Sequence, residues 1–98
     1  MTYQIEFSEE AERHLLALPA RNRATLLDAI ESQLSHEPTT PTRNRKLLRP
    51  NPVATWQLRV DDFRIFYNVD QDRILVIVIA IGFKEHNRLT IDGKVIKL

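Results

Sequence analysis

The segment TWQLRVDDFRIFYNVD, residues 55–70, decides the fold, because it has the pattern of two strands joined at Asp61-Asp62. Apolar and polar residues alternate on both sides of the aspartates, which is the period of half-buried strands. A turn of even length centred between them sets Trp56 opposite Tyr67, Leu58 opposite Ile65 and Val60 opposite Phe63 on one face, so the register is self-consistent. The same register sets Arg59 directly opposite Arg64. Like charges opposite each other repel, so an interaction that offsets the repulsion between the two arginines is expected.

The two faces of this hairpin differ in character. One face is predicted to pack under helices and carries Trp56, Leu58, Phe63, Ile65 and Tyr67. The other carries Thr55, Gln57, Arg59, Arg64, Phe66 and Asn68. An anion between the arginines would turn repulsion into a site, because guanidinium groups match phosphate oxygens, and the ring of Phe66 could stack a base. The alternative is a surface ion pair in which Asp61, Asp62 or Glu85 neutralises one arginine.

The N-terminal third predicts a strand followed by two helices. Residues 2–7 alternate as a strand does, and Ser8 is a typical N-cap followed by glutamates that suit the start of a helix. Pro19 ends that helix and stands near the start of a second one, at about residues 20–36. The predicted inward stripes are Ala11, Leu15 and Leu18 in the first helix and Ala24, Leu27, Ile30 and Leu34 in the second. So short a connection predicts an antiparallel pair.

The C-terminal third predicts more strands. RILVIVIAIG, residues 73–82, is apolar at nearly every position, which is typical of a central strand covered on both faces. Asp92-Gly93 between two alternating segments is a strong hairpin signal. The predicted fold is therefore α+β, in the order β-α-α-β-β-β, with a helical hairpin on one face of a mainly antiparallel sheet and a C-terminal β-hairpin. We expect residues 1–98 to form one domain.

Composition narrows the class of protein. The 98 residues are 43% hydrophobic and 28% charged, as in ordinary globular domains, and contain no cysteine. No signal-peptide pattern opens the chain, and the apolar run at residues 74–81 is too short to span a bilayer, so we expect a cytoplasmic protein without membrane contact. Residues 1–37 hold three basic and seven acidic residues, whereas residues 38–98 hold eleven basic and six acidic ones. An anionic partner would therefore meet the second part of the chain.

Two further basic segments are candidates for binding or catalysis. RNRKLLR, residues 43–49, contains Arg43, Arg45, Lys46 and Arg49 without an acid, and either contacts a nucleic-acid backbone or is a solvated face. GFKEHNR, residues 82–88, places Lys84 and His86 after the buried strand, where they either hold phosphate and move protons or form a polar exit loop. The sequence has no metal-binding, P-loop or serine-hydrolase pattern, so we expect neither a metal nor a cofactor.

The stretch LRVDDFRIFYNVDQDRILVIVIAIGFKE, residues 58–85, resembles the RelE/ParE superfamily of type II toxin–antitoxin toxins. The likeness extends to the strand and helical hairpin before it and to the basic segment RKLLR. RelE-type toxins are mRNA interferases that cut mRNA on the ribosome without a metal. The resemblance thus implies a toxin that inhibits translation as an endoribonuclease, with ribosome, mRNA and a cognate antitoxin as partners. It also leaves two alternatives, a ParE-like inhibitor of DNA gyrase and an inactive antitoxin-binding domain.

The resemblance also implies roles for particular residues. Arg64 corresponds to the phosphate-stabilising arginine, and Lys84 to a second basic residue that follows the glycine. His86 is the candidate for proton transfer, and the predicted RNA or phosphate ligands are Arg59, Arg43, Arg45, Lys46, Arg49, Phe66 and Gln57. RelE has lysines before the turn where this chain has Thr55 and Gln57. It also has a tyrosine in a helical C-terminal segment, where this chain has Thr90 in a predicted hairpin.

Overall fold

The computed structural model describes residues 2–98 and has two helices and seven strands in that range. They are β1 (Gln4–Phe7), α1 (Glu9–Leu16), α2 (Ala20–Leu34), β2 (Arg45–Leu47), β3 (Trp56–Val60), β4 (Phe63–Asp70), β5 (Leu75–Glu85), β6 (Arg88–Ile91) and β7 (Lys94–Val95). The predicted α+β class and element order are confirmed. One short strand, β2, is present in addition, within the basic segment of residues 43–49. Across the described residues, neither helix is long and apolar enough to cross a membrane.

All seven strands belong to one sheet in the order β2-β3-β4-β5-β6-β7, with β1 beside β5. Only the β1–β5 pairing is parallel among the described strands. Because β4 occupies one edge of β5, β1 and β6 lie end to end along its other edge. The predicted central strand is therefore confirmed as β5, which begins at Leu75 and continues past residue 82 to Glu85.

The hairpin formed by β3 and β4 has the predicted register. Trp56 is opposite Tyr67 with the rings stacked at 6.2 Å between centroids, Leu58 is opposite Ile65, and Arg59 is opposite Arg64. Asp61 turns the chain with φ at 52°, a conformation that aspartate tolerates better than most residues. The predicted Asp92-Gly93 turn between β6 and β7 is also confirmed, with φ positive at both positions.

The helices pack on the apolar face of the hairpin. Ser8 caps α1, because the Ala11 N–H donates to its Oγ at 3.0 Å. The buried stripe of α2 is Leu26, Ile30 and Leu34. The predicted stripe was wrong at Ala24 and Leu27, which are exposed. Two adjacent leucines at 26 and 27 fit a helical period equally well, and only packing on the sheet selects one of them.

A second apolar cluster covers part of the opposite face of the sheet. Its buried members are Ala54, Phe66 and Ala80. Half-buried residues from the segment before β3, from β5 and from the C-terminal hairpin pack around them, namely Leu48, Val53, Ile79, Leu89, Ile91 and Leu98. Gly82 allows β6 to approach β5 closely, since a Cβ there would lie 3.0 Å from the Thr90 carbonyl oxygen. This cluster leaves Gln57 and Arg64 at an open part of the polar face.

Candidate phosphate-binding site

The open part of the polar face beside Gln57 and Arg64 is a concave region of about 630 Å³, which we name the basic basin. Five cationic residues from separate parts of the chain line it, together with polar and apolar side chains. The cations are Lys46, Arg49, Arg64, Lys84 and Lys97, and the others are Leu47, Leu48, Gln57, Asn87, Leu89, Ile96 and Leu98. No aspartate or glutamate from the described chain lines the basin. Such an excess of positive charge on a concave surface favours a polyanionic ligand.

Arg64 is on β4, where it is paired with Arg59 on β3 at one side and with Gly82 on β5 at the other. The residue is only 9% exposed, and its Nη1 donates to the carbonyl oxygens of Asp61 and Phe63 at 2.9 and 3.0 Å. These bonds fix the guanidinium to the turn at the start of its own strand. Burial lowers the pKa of Arg64 from its usual value, and the charge of Arg59 lowers this pKa further.

The two opposing arginines line different grooves. Arg59 is exposed and lines a groove of about 740 Å³ on the side of α2, with Arg43, Asn44, Asp61 and Asp62 among its neighbours. Neither Arg59 nor Arg64 forms an ion pair with a carboxylate of residues 2–98. The structure therefore gives no ion pair of the predicted kind. It also does not bring Arg43 and Arg59 into the basin.

Lys84 and His86 are separated although they are two residues apart. Lys84 lines the basin, and its main-chain N–H donates to the Asp62 carbonyl at 2.7 Å. His86 is at the tip of the β5–β6 turn with φ at 51°, is highly exposed, and is not among the residues that line the basin. Its Nε2 lies 3.5 Å from Glu85 Oε1. The predicted grouping of His86 with Arg64 is therefore not present.

The structure places two other predicted ligands, Arg45 and Phe66, away from the basin, with their side chains committed elsewhere. Arg45 is buried on the helix side of the sheet, opposite Leu58, and its guanidinium donates to the carbonyl oxygens of Gln33 and Thr40. Phe66 is completely buried in the second apolar cluster, so its ring has no free face for a base. Arg45 was predicted from a run of basic residues and Phe66 from strand alternation, and neither signal identifies the segments that cover a side chain.

Sequence reasoning missed Lys97 and Asn87 as residues of the basin. The Asp92-Gly93 turn carried a signal for Lys97, because it sends the chain back along β6. The main-chain N–H of Ile96 donates to the Leu89 carbonyl at 2.8 Å, one step beyond the last pair between β6 and β7. In the register of this hairpin, three further residue pairs place residues 96–98 beside residues 87–89.

The chemistry available in the basin is charge stabilisation. Lysine and arginine side chains in a fixed arrangement can stabilise the negative charge that develops on a phosphate during transfer. No group of three or more histidine, aspartate or glutamate side chains in the described chain is arranged to hold a metal ion. The basin residues that the sequence predicted are Arg64, Lys84, Lys46, Arg49 and Gln57.

Comparison with known proteins gives a consistent picture. Residues 5–87 match the family model described as the ParE toxin of the type II toxin–antitoxin system parDE. The chain is 30% identical over 84 residues to the toxin RelG of Mycobacterium tuberculosis, covering 86% of this chain and 93% of that one.

Solved toxin–antitoxin complexes share the fold. A RelBE complex from Mycobacterium tuberculosis contains a chain with a TM-score of 0.74 and 27% identity, over 86% of this chain and 93% of that one. The archaeal RelE–RelB complex from Pyrococcus horikoshii has a TM-score of 0.66 at 19% identity, over 83% and 93% of the two chains. The Escherichia coli RelBE complex has a TM-score of 0.58 at 22% identity, over 86% and 99%.

Proposed function

Because the chain belongs to the RelE/ParE superfamily of type II toxin–antitoxin toxins, we propose that this toxin is a metal-independent mRNA interferase that cleaves mRNA on the ribosome. The basic basin is the observation that carries the proposal. Its five cationic residues come together from four segments of the chain, and no aspartate or glutamate of residues 2–98 lines it. This arrangement suits the phosphodiester backbone of RNA as the reacting group.

Cleavage without a metal proceeds by attack of a ribose 2′-hydroxyl on the adjacent phosphate, which breaks the bond to the 5′-oxygen. Charge accumulates on the phosphate oxygens as the phosphorane forms. Arg64 is suited to stabilise this charge, because its Nη1 is fixed by two carbonyl groups while its other nitrogens have no bond to residues 2–98. Lys84 lies two residues beyond Gly82, the partner of Arg64, and supplies a second positive charge.

A lysine from β2 compensates for the lysine that β3 lacks. Gln57 occupies the position where RelE has a lysine, and Lys46 is directly opposite Gln57 in the β2–β3 pairing. Both residues line the basin, so an amine is available one strand away from the position expected for the family. We assign Lys46 as the group that contacts the attacking 2′-hydroxyl, in place of the predicted His86.

The test is cleavage of a translated mRNA by the purified toxin and purified ribosomes, read by primer extension. We expect discrete cuts with the wild type, and rates at least ~100-fold lower for Arg64→Ala and Lys46→Ala. Arg73→Ala is the matched control, because Arg73 is exposed at the opposite end of β5 from Lys84 and should leave the rate unchanged. His86→Ala should also retain activity. Intact mRNA in cells that the toxin has arrested would contradict the proposal.

The matched family model, described as the ParE toxin, favours a second candidate function, inhibition of DNA gyrase. This function predicts loss of supercoiling by purified gyrase and a DNA-damage response on expression, with translation unaffected at first. A gyrase assay run with the same protein preparation separates the two functions. A harmless outcome of expression without antitoxin would instead indicate an inactive antitoxin-binding domain.

We further propose that a cognate antitoxin binds this toxin, since the similar solved chains come from toxin–antitoxin complexes. Two leucines on the helical pair support one docking surface, because Leu16 is 73% exposed and Leu27 is 42% exposed. The test is co-purification of the toxin with the product of the neighbouring reading frame. Leu16→Asp should weaken that complex without lowering the melting temperature of the free toxin.

A further inference from the structure

Residues 96–98 form one wall of the basic basin and are anchored on both sides of Lys97. On one side, the Ile96 N–H donates to the Leu89 carbonyl at 2.8 Å. On the other, Leu98 packs against the second apolar cluster. Lys97 itself is exposed and lines the basin. Two anchored neighbours reduce the freedom of its backbone, so binding of an anion by Lys97 would cost less conformational entropy.

Arg49 connects this wall to the segment before β3. Its Nη2 donates to the carbonyl oxygen of Leu98 at 3.1 Å, across 49 positions of sequence. This bond directs the guanidinium of Arg49 toward residues 96–98, so the side chain is not free to face a ligand alone. The contact suggests that Arg49 holds residues 96–98 against the sheet, which differs from the phosphate-binding role expected from the sequence.

We propose that Lys97 is a further RNA-contacting residue of the basin, and that Arg49 is a positioning residue that acts through residues 96–98. This inference rests on the proposed function for the identity of the ligand as RNA. It adds to the basin a phosphate contact from residues 96–98, beside those from β2, β4 and β5. Lys97 binds a phosphate next to the one that Arg64 stabilises.

The test measures the affinity of the toxin for a fluorescent single-stranded RNA oligonucleotide at several concentrations of NaCl. Each lost phosphate contact lowers the slope of log affinity against log salt by about 0.7. Lys97→Ala should lose about this much. Lys94→Ala is the matched control, because Lys94 is an exposed lysine of the same hairpin that does not line the basin, and its slope should equal that of the wild type. An unchanged slope for Lys97→Ala overturns the contact.

The role of Arg49 is tested by a double-mutant cycle. If Arg49 acts through residues 96–98, Arg49→Ala and Lys97→Ala each lower the slope by about 0.7, and the double variant loses no more than either. A loss of about 1.4 in the double variant would show that Arg49 binds its own phosphate, and would overturn the positioning role. The heteronuclear NOE of the Lys97 amide gives an independent measure. It should fall in Arg49→Ala and stay unchanged in Lys46→Ala.

The oligonucleotide-binding experiment and the ribosome-cleavage experiment have independent outcomes, so failure of one proposal can be told from failure of the other. A toxin that binds RNA with the predicted slopes but leaves mRNA intact on ribosomes contradicts the proposed function and supports the RNA contact. A toxin that cleaves mRNA while Lys97→Ala retains the wild-type slope contradicts only the present inference. A wild type that does not bind the oligonucleotide at low salt also overturns it. Thermal melting of each variant verifies the fold.

Discussion

Arg45 and Lys46 are adjacent basic residues on β2 that should respond to substitution in opposite ways. Arg45 is 8% exposed and its guanidinium donates to the carbonyl oxygens of Gln33 and Thr40. Gln33 is in the last turn of α2, where carbonyl groups lack helical partners and a positive charge is favourable. Lys46 is exposed, faces the basin and has no such bonds to residues 2–98.

The magnitude follows from the two bonds of Arg45. A hydrogen bond to a charged group contributes ~1.5–3 kcal/mol, and the lower value applies because Thr40 is exposed enough for water to replace the guanidinium. Arg45→Ala should therefore lower the free energy of unfolding by about 3 kcal/mol. With an unfolding entropy of about 2.1 cal/mol/K per residue, a chain of 98 residues would lose ~15 °C in melting temperature.

The assay combines thermal melting with ribosome-dependent cleavage at a temperature where both variants are folded. Arg45→Ala should melt ~15 °C lower and cleave at the wild-type rate, whereas Lys46→Ala should melt normally and cleave at least ~100-fold more slowly. Arg43→Ala, in the exposed part of the same segment, is the control for loss of charge alone. If Arg45→Ala has the melting temperature of the wild type and no longer cleaves mRNA, the placement of Arg45 on the helix side of the sheet is refuted.

Three further predictions concern stability and its dependence on pH. Tyr67→Phe removes a hydroxyl that donates to the buried carbonyl of Pro38 at 2.6 Å, and urea denaturation should show a loss of ~1–3 kcal/mol. Gly82→Ala places a Cβ 3.0 Å from a carbonyl oxygen of β6, so thermal melting should show ~1–3 kcal/mol of destabilisation, and a neutral result would mean that β6 moves freely. The Arg13 guanidinium, 2.9 Å from Asp92, holds the pKa of that carboxyl below its usual value. This stabilisation is present above the unfolded pKa of about 3.9 and is lost as the pH falls through the folded pKa, so the difference in melting temperature between wild type and Asp92→Asn should shrink on acidification below pH ~4.

The parts of the fold that sequence predicted are those governed by local patterns. Alternation in residues 55–70 and the turn at Asp61-Asp62 were sufficient for the register of β3 and β4, including the opposition of Arg59 and Arg64. The continuous apolar run in residues 73–82 was sufficient to predict the central position of β5 in the sheet. Each of these signals depends on neighbours in the chain, and no distant segment competes with them.

The parts that sequence did not predict depend on contacts between distant segments. Phe66 lies on the polar face by alternation, yet Leu98 and residues from the segment before β3 cover it. Arg45 had the sequence context of a ligand and became buried because β2 pairs with β3 in a register that sets it opposite Leu58. Lys97 reached the basin only through the hairpin that precedes it. A single sequence shows which face a residue occupies, whereas burial depends on which remote segment packs there.

The two arginines of the central hairpin give the most direct test of the basic basin as the catalytic site. Arg64 lines the basin and Arg59, directly opposite, lines the groove on the side of α2. The measurement is the rate of mRNA cleavage on purified ribosomes under single-turnover conditions for Arg64→Ala and Arg59→Ala. We predict a loss of at least ~100-fold for Arg64→Ala and a rate within about threefold of wild type for Arg59→Ala. Equal losses for the two variants, or a greater loss for Arg59→Ala, would contradict the assignment of catalysis to the basin.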